Sequence, residues 1–239
     1  YARYLVEERK DPQGREIAAL LGRAPLDVRV NALKADRAAL ALPEPGEPLA
    51  SAQGLRFATG TPVETWEAYE QGLIEVQDLG SQLIVESLPV SQGDTIIDLC
   101  AGGGGKALAL AARGAKVWAH DAFPARMADL PARSSRAGQR IMITADPADT
   151  KPYDVVLTDV PCSGSGSWRR DPAGKWALTE ARLADLCALQ AQIMDDVAPL
   201  VRHGGTLAYA TCSLLAEENE VMFFPRHFAH ERTKALVGV

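Results

Sequence analysis

Residues 94–110 read DTIIDLCAGGGGKALAL, and this stretch decides the fold. Thr95 to Cys100 is a short, mainly apolar run without polar alternation, the pattern of a strand buried on both faces of a parallel sheet. The glycines Gly102 to Gly105 then let the backbone turn sharply and approach a ligand closely, and the helix that follows presents its unsatisfied amides to the turn. Strand, glycine turn and helix, in that order, open a doubly wound α/β sheet.

Working outward, the same alternation repeats. Lys116 to His120, Arg140 to Thr144, Tyr153 to Val160 and Thr206 to Thr211 are further strand-like runs, and segments near Gly105 to Arg113, Pro124 to Ala137 and Thr179 to Val197 are long enough for helices. In the last of these Leu183, Leu186, Leu189 or Gln190, and Ile193 recur on one face. Residues 1–72 are different: an amphipathic opening through Leu20 and Leu21, a strand-like DVRVN around Val28, and a stretch punctuated by Pro43, Pro45 and Pro48. A small α/β module over 1–72 followed by an α/β domain over 73–239 is predicted.

Ligands of such a sheet bind beyond the carboxyl ends of the strands, where the strand order reverses. Those ends hold Cys100 to Lys106, His120 and Asp121, Asp146, Asp159 to Gly166, and Thr211 to Ser213. The glycine loop is ambiguous as a pattern. Gly102, Gly104 and Ala107 fit the dinucleotide fingerprint, and Asp121 would hold a ribose in a nicotinamide or an S-adenosylmethionine site alike. Asp98 tilts the balance, because a carboxylate at that strand end repels a pyrophosphate but accepts from the ammonium of a methionine-type ligand. Asp146 is a plausible acceptor for an adenine amino group, though an Asp before Pro147 is also an ordinary turn starter.

Cys162 in TDVPCSGSG and Cys212 in ATCSLLAEENE follow two different strands and so converge on one edge of the sheet from 50 residues apart. Two thiols suit one reaction well. Carbon 5 of a pyrimidine takes a methyl group only after a thiolate has added at carbon 6, and the proton left on carbon 5 must then be removed by a second base. An unperturbed thiol is mostly un-ionised at neutral pH, so the attacking one needs a cation nearby, and Lys106 is the candidate. Cys187, inside a helix, reads as a small buried hydrophobe.

Composition bounds the rest. The 239 residues are 47% hydrophobic and 23% charged, which excludes a disordered chain or a disulfide scaffold. The four cysteines form no C-x-x-C pair and there are only four histidines, so no metal site is expected. No apolar run is long enough to span a membrane and no leader opens the chain, so a cytoplasmic protein without membrane contact is expected, and a monomer. The chain opens on Tyr1 rather than Met, as a piece of a longer product would. A net charge of −6 repels a polyanion at long range, so any nucleic-acid function needs a local basic patch. Trp168, Arg169, Arg170 and Lys175, with Trp176, combine cations and indoles suited to phosphates and a splayed base.

At these residues the chain resembles the RNA cytosine-5 methyltransferases of the Fmu and Nol/Sun type. The likeness runs from about Pro25 to Glu220 through PLDVRVNALK, GLIEVQDLGSQL, DLCAGGGGK, TDVPCSGSG, RRDPAGKW, LQAQIMDDVAPLVRHGGTLAYATCS and EENE, in that order. It implies a Rossmann-like S-adenosylmethionine-dependent methyltransferase domain behind an RNA-facing amino-terminal module, with RNA, most of all ribosomal RNA, as substrate. By the same likeness Cys212 is the nucleophile and Cys162 releases the product. Asp159 contacts the base and the methionine end of the cofactor. Cys100, Ala101, Gly102, Gly103, Gly104, Gly105 and Lys106 line the cofactor, Asp121 bonds its ribose and Asp146 lies by its adenine. The chain departs from the family's Cys-Ala-Ala-Pro-Gly-Gly-Lys-Thr loop at Gly102, Gly103 and Ala107, which loosens the loop. The family also continues after Glu220 with a helix and two strands, so an edge of the sheet is expected to be missing. Two other readings stay open: an inactive RNA-binding or assembly module of the same fold, and a nicotinamide-dependent oxidoreductase.

Overall fold

A computed structural model describes residues 22–219 and the backbone of 234–238. The amphipathic opening through Leu20 and Leu21 lies outside the described residues. Near the amino terminus four short strands, β1 (Leu26–Val30), β2 (Glu47–Pro48), β3 (Gly54–Phe57) and β4 (Ile74–Val76), form an antiparallel sheet in the order β2-β3-β1-β4. Val28, Val30, Leu55, Phe57, Trp66 and Ile74 pack into its core, with Phe57 edge-on to Trp66 at 5.2 Å. The one-turn helix α1 (Glu67–Glu70) precedes β4, so this sheet extends past Gly72.

The helix α2 (Leu79–Ser87) leads into the second sheet. Its elements are β5 (Thr95–Asp98), α3 (Gly105–Ala112), β6 (Lys116–Ala119), α4 (Leu130–Ala137), β7 (Ile141–Ile143), β8 (Tyr153–Asp159), α5 (Pro172–Ala177), α6 (Glu180–Val197), β9 (Val201–Ala210) and β10 (Lys234–Gly238). The strands run parallel in the order β10-β9-β8-β5-β6-β7. This is the Rossmann-like α/β sheet expected from residues 94–110. Consecutive residues of β5 face opposite ways: Ile96 joins Leu110 and Leu157 in one core, while Ile97 joins Met194, Val197 and Tyr209 in the other. A strand apolar on both sides is therefore the direct consequence of helices covering both faces.

One expectation needs correction, and one open choice is decided. The segment Pro124 to Ala137 is not one helix but a 3-10 turn over Pro124–Met127 followed by α4. Pro131 lies in the first turn of α4, where its missing N–H is harmless, but it could not sit inside a helix continuing from Pro124. On α6 the buried residues are Leu186, Gln190, Met194 and Val197, whereas Leu189 is exposed. The polar member of the 189/190 pair is inside because its side chain bonds Pro161 O and Glu218.

Chain order reverses between β5 and β8, which have β6 and β7 on one side and β9 on the other. Register places Asp98 of β5 opposite Leu157, and Asp159 of β8 opposite Ala210. The loops after β5, β8 and β9 thus emerge at one edge, at the crevice where such sheets bind ligands.

Candidate active site

The glycine loop is shaped by its own backbone. Gly104 has φ +79° and precedes α3, and a Cβ there would lie 2.3 Å from Leu130 Cδ1. Gly102, at φ +50°, donates its N–H to Asp121 Oδ2 at 2.9 Å. Asp121 Oδ1 accepts from Phe123 N at 2.9 Å, and Arg126 Nη1 lies 3.4 Å from Oδ2. Asp121, the acid expected at a ribose, is thus 3% exposed, holds the glycine loop and does not itself line the adjoining cavity.

Beside this loop is a cavity of about 320 Å³ whose wall includes Gln77, Asp78 and Ser81 from the segment joining the two sheets, as well as Asp98, Lys106 and Asp159. Its size is at the lower end of small-molecule sites. Lys106 Nζ donates to Asp159 Oδ2 at 2.7 Å and to Ser81 Oγ at 3.1 Å. Asp98 is only 1% exposed, and neither of its carboxylate oxygens makes a well-formed hydrogen bond among the described residues, the backbone N–H of Ala107 reaching it only loosely. Burial pushes its pKa up to about 7, against the pull of Lys106. A buried carboxyl so weakly bonded at a cavity wall is costly unless a ligand supplies a donor, and an ammonium is the donor that would suit it. Cys100 is no nucleophile: burial and the neighbouring acids push its thiol up to about 12.

Asp146 is exposed at the end of β7 and does not line this cavity. Its Oδ1 accepts from Ala148 N at 2.8 Å, which is the turn-starting role. Arg126 and Arg133 also line the cavity. Arg133 bonds Gly103 O and Glu75, whose carboxylate also pairs with Arg136 at 2.9 Å.

The two thiols meet. Cys162 Sγ and Cys212 Sγ are 3.4 Å apart, brought together because β8 and β9 are neighbours and both end at this edge. Gly166 N bonds Cys212 O at 2.8 Å, and a Cβ at Gly166 would sit 2.7 Å from that oxygen, so only glycine fits. The hydrogen bond from Cys162 is the largest influence lowering the Cys212 thiol below its ordinary value, with smaller help from the Ser167 hydroxyl and from Lys106 against burial and Asp159. Cys162, partly buried in the same contact, is pushed up. Ionising one thiol of the pair therefore keeps the proton on the other. Lys106, expected as the activating cation, acts mainly on Asp159.

Of the residues expected to face RNA, Trp168 folds back, its Nε1 bonding Ser163 O at 3.2 Å. Arg170 reaches Asp78 and, at 3.4 Å, Pro25 O. Lys175 is exposed, 4.7 Å over the ring of Trp176, which is 81% exposed. Arg169 is half-buried on the same loop.

Sequence reasoning missed Glu218 and Asn219. Both are buried at the foot of the thiol loops, where Glu218 accepts from Ser163 N at 2.8 Å and Asn219 bonds Ser213 O at 3.0 Å. The EENE stretch that contains them carried no signal separating these two from ordinary surface acids.

Comparison with known proteins agrees with this geometry. Residues 85–234 match the family described as 16S rRNA methyltransferase RsmB/F. The chain is 41% identical over 190 residues to the ribosomal RNA small subunit methyltransferase B of Erwinia tasmaniensis, which covers 72% of this chain and 43% of that protein. With the protein of the same name from Salmonella arizonae it shares 37% identity over 69% of this chain and 41% of the relative. The chain thus spans less than half the length of these relatives. Among solved structures, PH0851 superposes with a TM-score of 0.78 at 27% identity, over 92% of this chain and 54% of that one. These matches decide the glycine loop against the nicotinamide alternative, and the chain belongs to the RsmB/F family of 16S rRNA methyltransferases.

Proposed function

We propose that this chain transfers a methyl group from S-adenosylmethionine to carbon 5 of a cytosine in RNA, with 16S ribosomal RNA as the substrate class. The observation that carries the reading is the Cys162–Cys212 pair, 3.4 Å between sulfurs, at the same sheet edge as a cavity walled by the buried, weakly bonded Asp98. Asp98 would hold the ammonium of the cofactor, Asp121 its ribose, and the backbone from Cys100 to Gly105 its body, with Asp146 toward the adenine. When bound, S-adenosylmethionine supplies an electrophilic methyl group.

The chain's own residues do the remaining work. The Cys212 thiolate adds to carbon 6 of the cytosine, forming a C–S bond and making carbon 5 nucleophilic. Asp159 lines the cavity and acts electrostatically on Cys212, so it stands where both the base edge and the cofactor would be held, fixed there by Lys106. Once Cys212 is bonded to carbon 6, Cys162 passes its own proton to solvent, and once carbon 5 carries the methyl group the Cys162 thiolate removes the proton left on that carbon. The electron pair re-forms the C5–C6 double bond, and the bond to Cys212 breaks. Lys175 and Trp176, with Arg169, present a cation and stacking face to the RNA.

The test is methylation of small-subunit ribosomal RNA with radiolabelled S-adenosylmethionine, read as 5-methylcytosine after nuclease digestion. Cys212→Ala should lower the rate by about three orders of magnitude or more, as loss of a covalent nucleophile does. Undiminished 5-methylcytosine from Cys212→Ala overturns the nucleophile assignment. No 5-methylcytosine from the unmodified chain, with S-adenosylhomocysteine still bound, favours the inactive binding module instead.

A further inference from the structure

We propose that Glu218, with Asn219 beside it, is a positioning residue that holds Cys162 against Cys212 by gripping the residues that flank each thiol. Glu218 is 0% exposed and Asn219 1%. The Glu218 side chain turns toward the loop after β8: Oε1 accepts from Ser163 N at 2.8 Å, and Oε2 accepts from Ser163 Oγ. Gln190 Nε2, on α6, donates both to Glu218 Oε1 and to Pro161 O at 2.9 Å. Pro161 and Ser163 are the two neighbours of Cys162. Asn219 turns the other way. Its Oδ1 accepts from Thr211 Oγ1 at 3.0 Å and its Nδ2 donates to Ser213 O at 3.0 Å. Thr211 and Ser213 are the two neighbours of Cys212. Ser213 Oγ then closes the bracket, 3.1 Å from both Ser163 Oγ and Ser165 Oγ.

Among the described residues no lysine or arginine pairs with Glu218. A carboxylate buried without a cation is expensive and persists only when its lone pairs are well satisfied. Here they bond Ser163 of the loop that carries the second thiol and Gln190 of α6, which itself holds Pro161 of that loop. The main chain of Glu218 is itself pinned, its carbonyl accepting from Tyr209 OH of β9 at 2.7 Å. Two adjacent side chains on one short turn therefore set the distance between two thiols that are 50 residues apart in the chain. The consequence for catalysis rests on the two-thiol reading above, whereas the spacing can be measured without RNA.

The thiol spacing is read by diamide cross-linking of the whole chain, followed by peptide mapping of the Cys162–Cys212 disulfide. One thiolate adds to diamide and the other thiolate displaces it. The pair loses two protons and two electrons, and diamide leaves as the hydrazine. Glu218→Ala should slow this cross-link roughly tenfold or more, with kcat for methyl transfer falling in step and the KM for S-adenosylmethionine unchanged. Glu218→Gln, which keeps the acceptor for Ser163 N, should recover most of both rates. An unchanged cross-linking rate in Glu218→Ala overturns the proposal. If that variant does not fold, Ser163→Ala carries the test, since it removes one arm of the grip from a half-buried position, and an unchanged rate there overturns it equally. Slower cross-linking with undiminished methyl transfer supports the spacing role and overturns the two-thiol chemistry instead.

Discussion

At the scale of single residues, Asp98 ties the cavity to pH. Its carboxyl is protonated in both folded and unfolded chains below about 3.8, and between there and about 7 only the folded chain keeps the proton. The unfolded state then binds fewer protons, so the empty chain should lose stability as pH rises through that window and lose no more above it. Asp98→Asn should flatten this slope in thermal melts. Ligand binding should run the opposite way, because an ammonium favours the ionised carboxylate. The affinity for S-adenosylhomocysteine should rise roughly eightfold between about pH 6 and about pH 7.5 in calorimetric titration, the ratio expected for a site that must ionise with a pKa near 7. In Asp98→Asn that rise should vanish, and a rise that survives the substitution would assign the proton to another group. The nearby Cys212 is lowered by its hydrogen bond from Cys162, so Cys162→Ala should slow alkylation of Cys212 at neutral pH.

At the scale of elements, the glycine loop between β5 and α3 is held from outside. Arg133 of α4 bonds Gly103 O and, at 3.1 Å, Glu75 of β4. Its guanidinium lies 2.8 Å from where a Cβ of residue 103 would be, the position at which the family carries proline. The strap supplies rigidity that the missing ring withdraws. Arg133→Ala should therefore weaken S-adenosylhomocysteine binding, and Gly103→Ala should do so through the same contact. The two effects should fail to add in a double-mutant cycle, and strict additivity would show that the strap does not act on the loop. Gly104→Ala should destabilise the fold by about 1–3 kcal/mol in denaturant melts, since it forces both a left-handed backbone and Leu130. Much of this was legible in the sequence. The strands announced themselves because β5 and β8 are apolar on both faces, and the cysteines because each follows a strand. The break before α4 was legible in Pro131 once its place in the helix was known. Other features were not. Gln190 and Glu218 look like surface residues by type, and only bonds to loops distant in sequence bring them inside. Likewise Gln77, Asp78 and Ser81 reach the cavity because the segment from β4 into α2 lies against the glycine loop and Lys106, which no local spacing encodes.

At the scale of the molecule, the proposed RNA substrate would have to be attracted to a chain of net charge −6 through local cations, and those it offers are unequal. Arg170 is tied to Asp78 and Trp168 to Ser163, whereas Lys175 and Trp176 stand exposed. Lys175→Ala should reduce the salt dependence of RNA binding by about one phosphate contact, and Trp176→Ala should cost about 1–3 kcal/mol with little change in that dependence. Filter binding at several salt concentrations separates the two, and equal slopes in all variants would place the RNA elsewhere. Among the described residues no helix is long and apolar enough to cross a membrane. The segment joining the two sheets contributes Gln77, Asp78 and Ser81 to the cavity and the larger sheet contributes Asp98 and Asp159, with the two thiols beyond β8 and β9 at the same sheet edge. The function proposed for that cleft requires a covalent intermediate that Cys212 would form and Cys162 would resolve. The most direct measurement is to incubate Cys162→Ala with small-subunit ribosomal RNA and S-adenosylmethionine and run the product on a denaturing gel. The expected result is a protein–RNA adduct that survives denaturation and disappears when Cys212 is also replaced by Ala. A Cys162→Ala chain that releases 5-methylcytosine at the unmodified rate, with no adduct, would contradict the two-thiol mechanism.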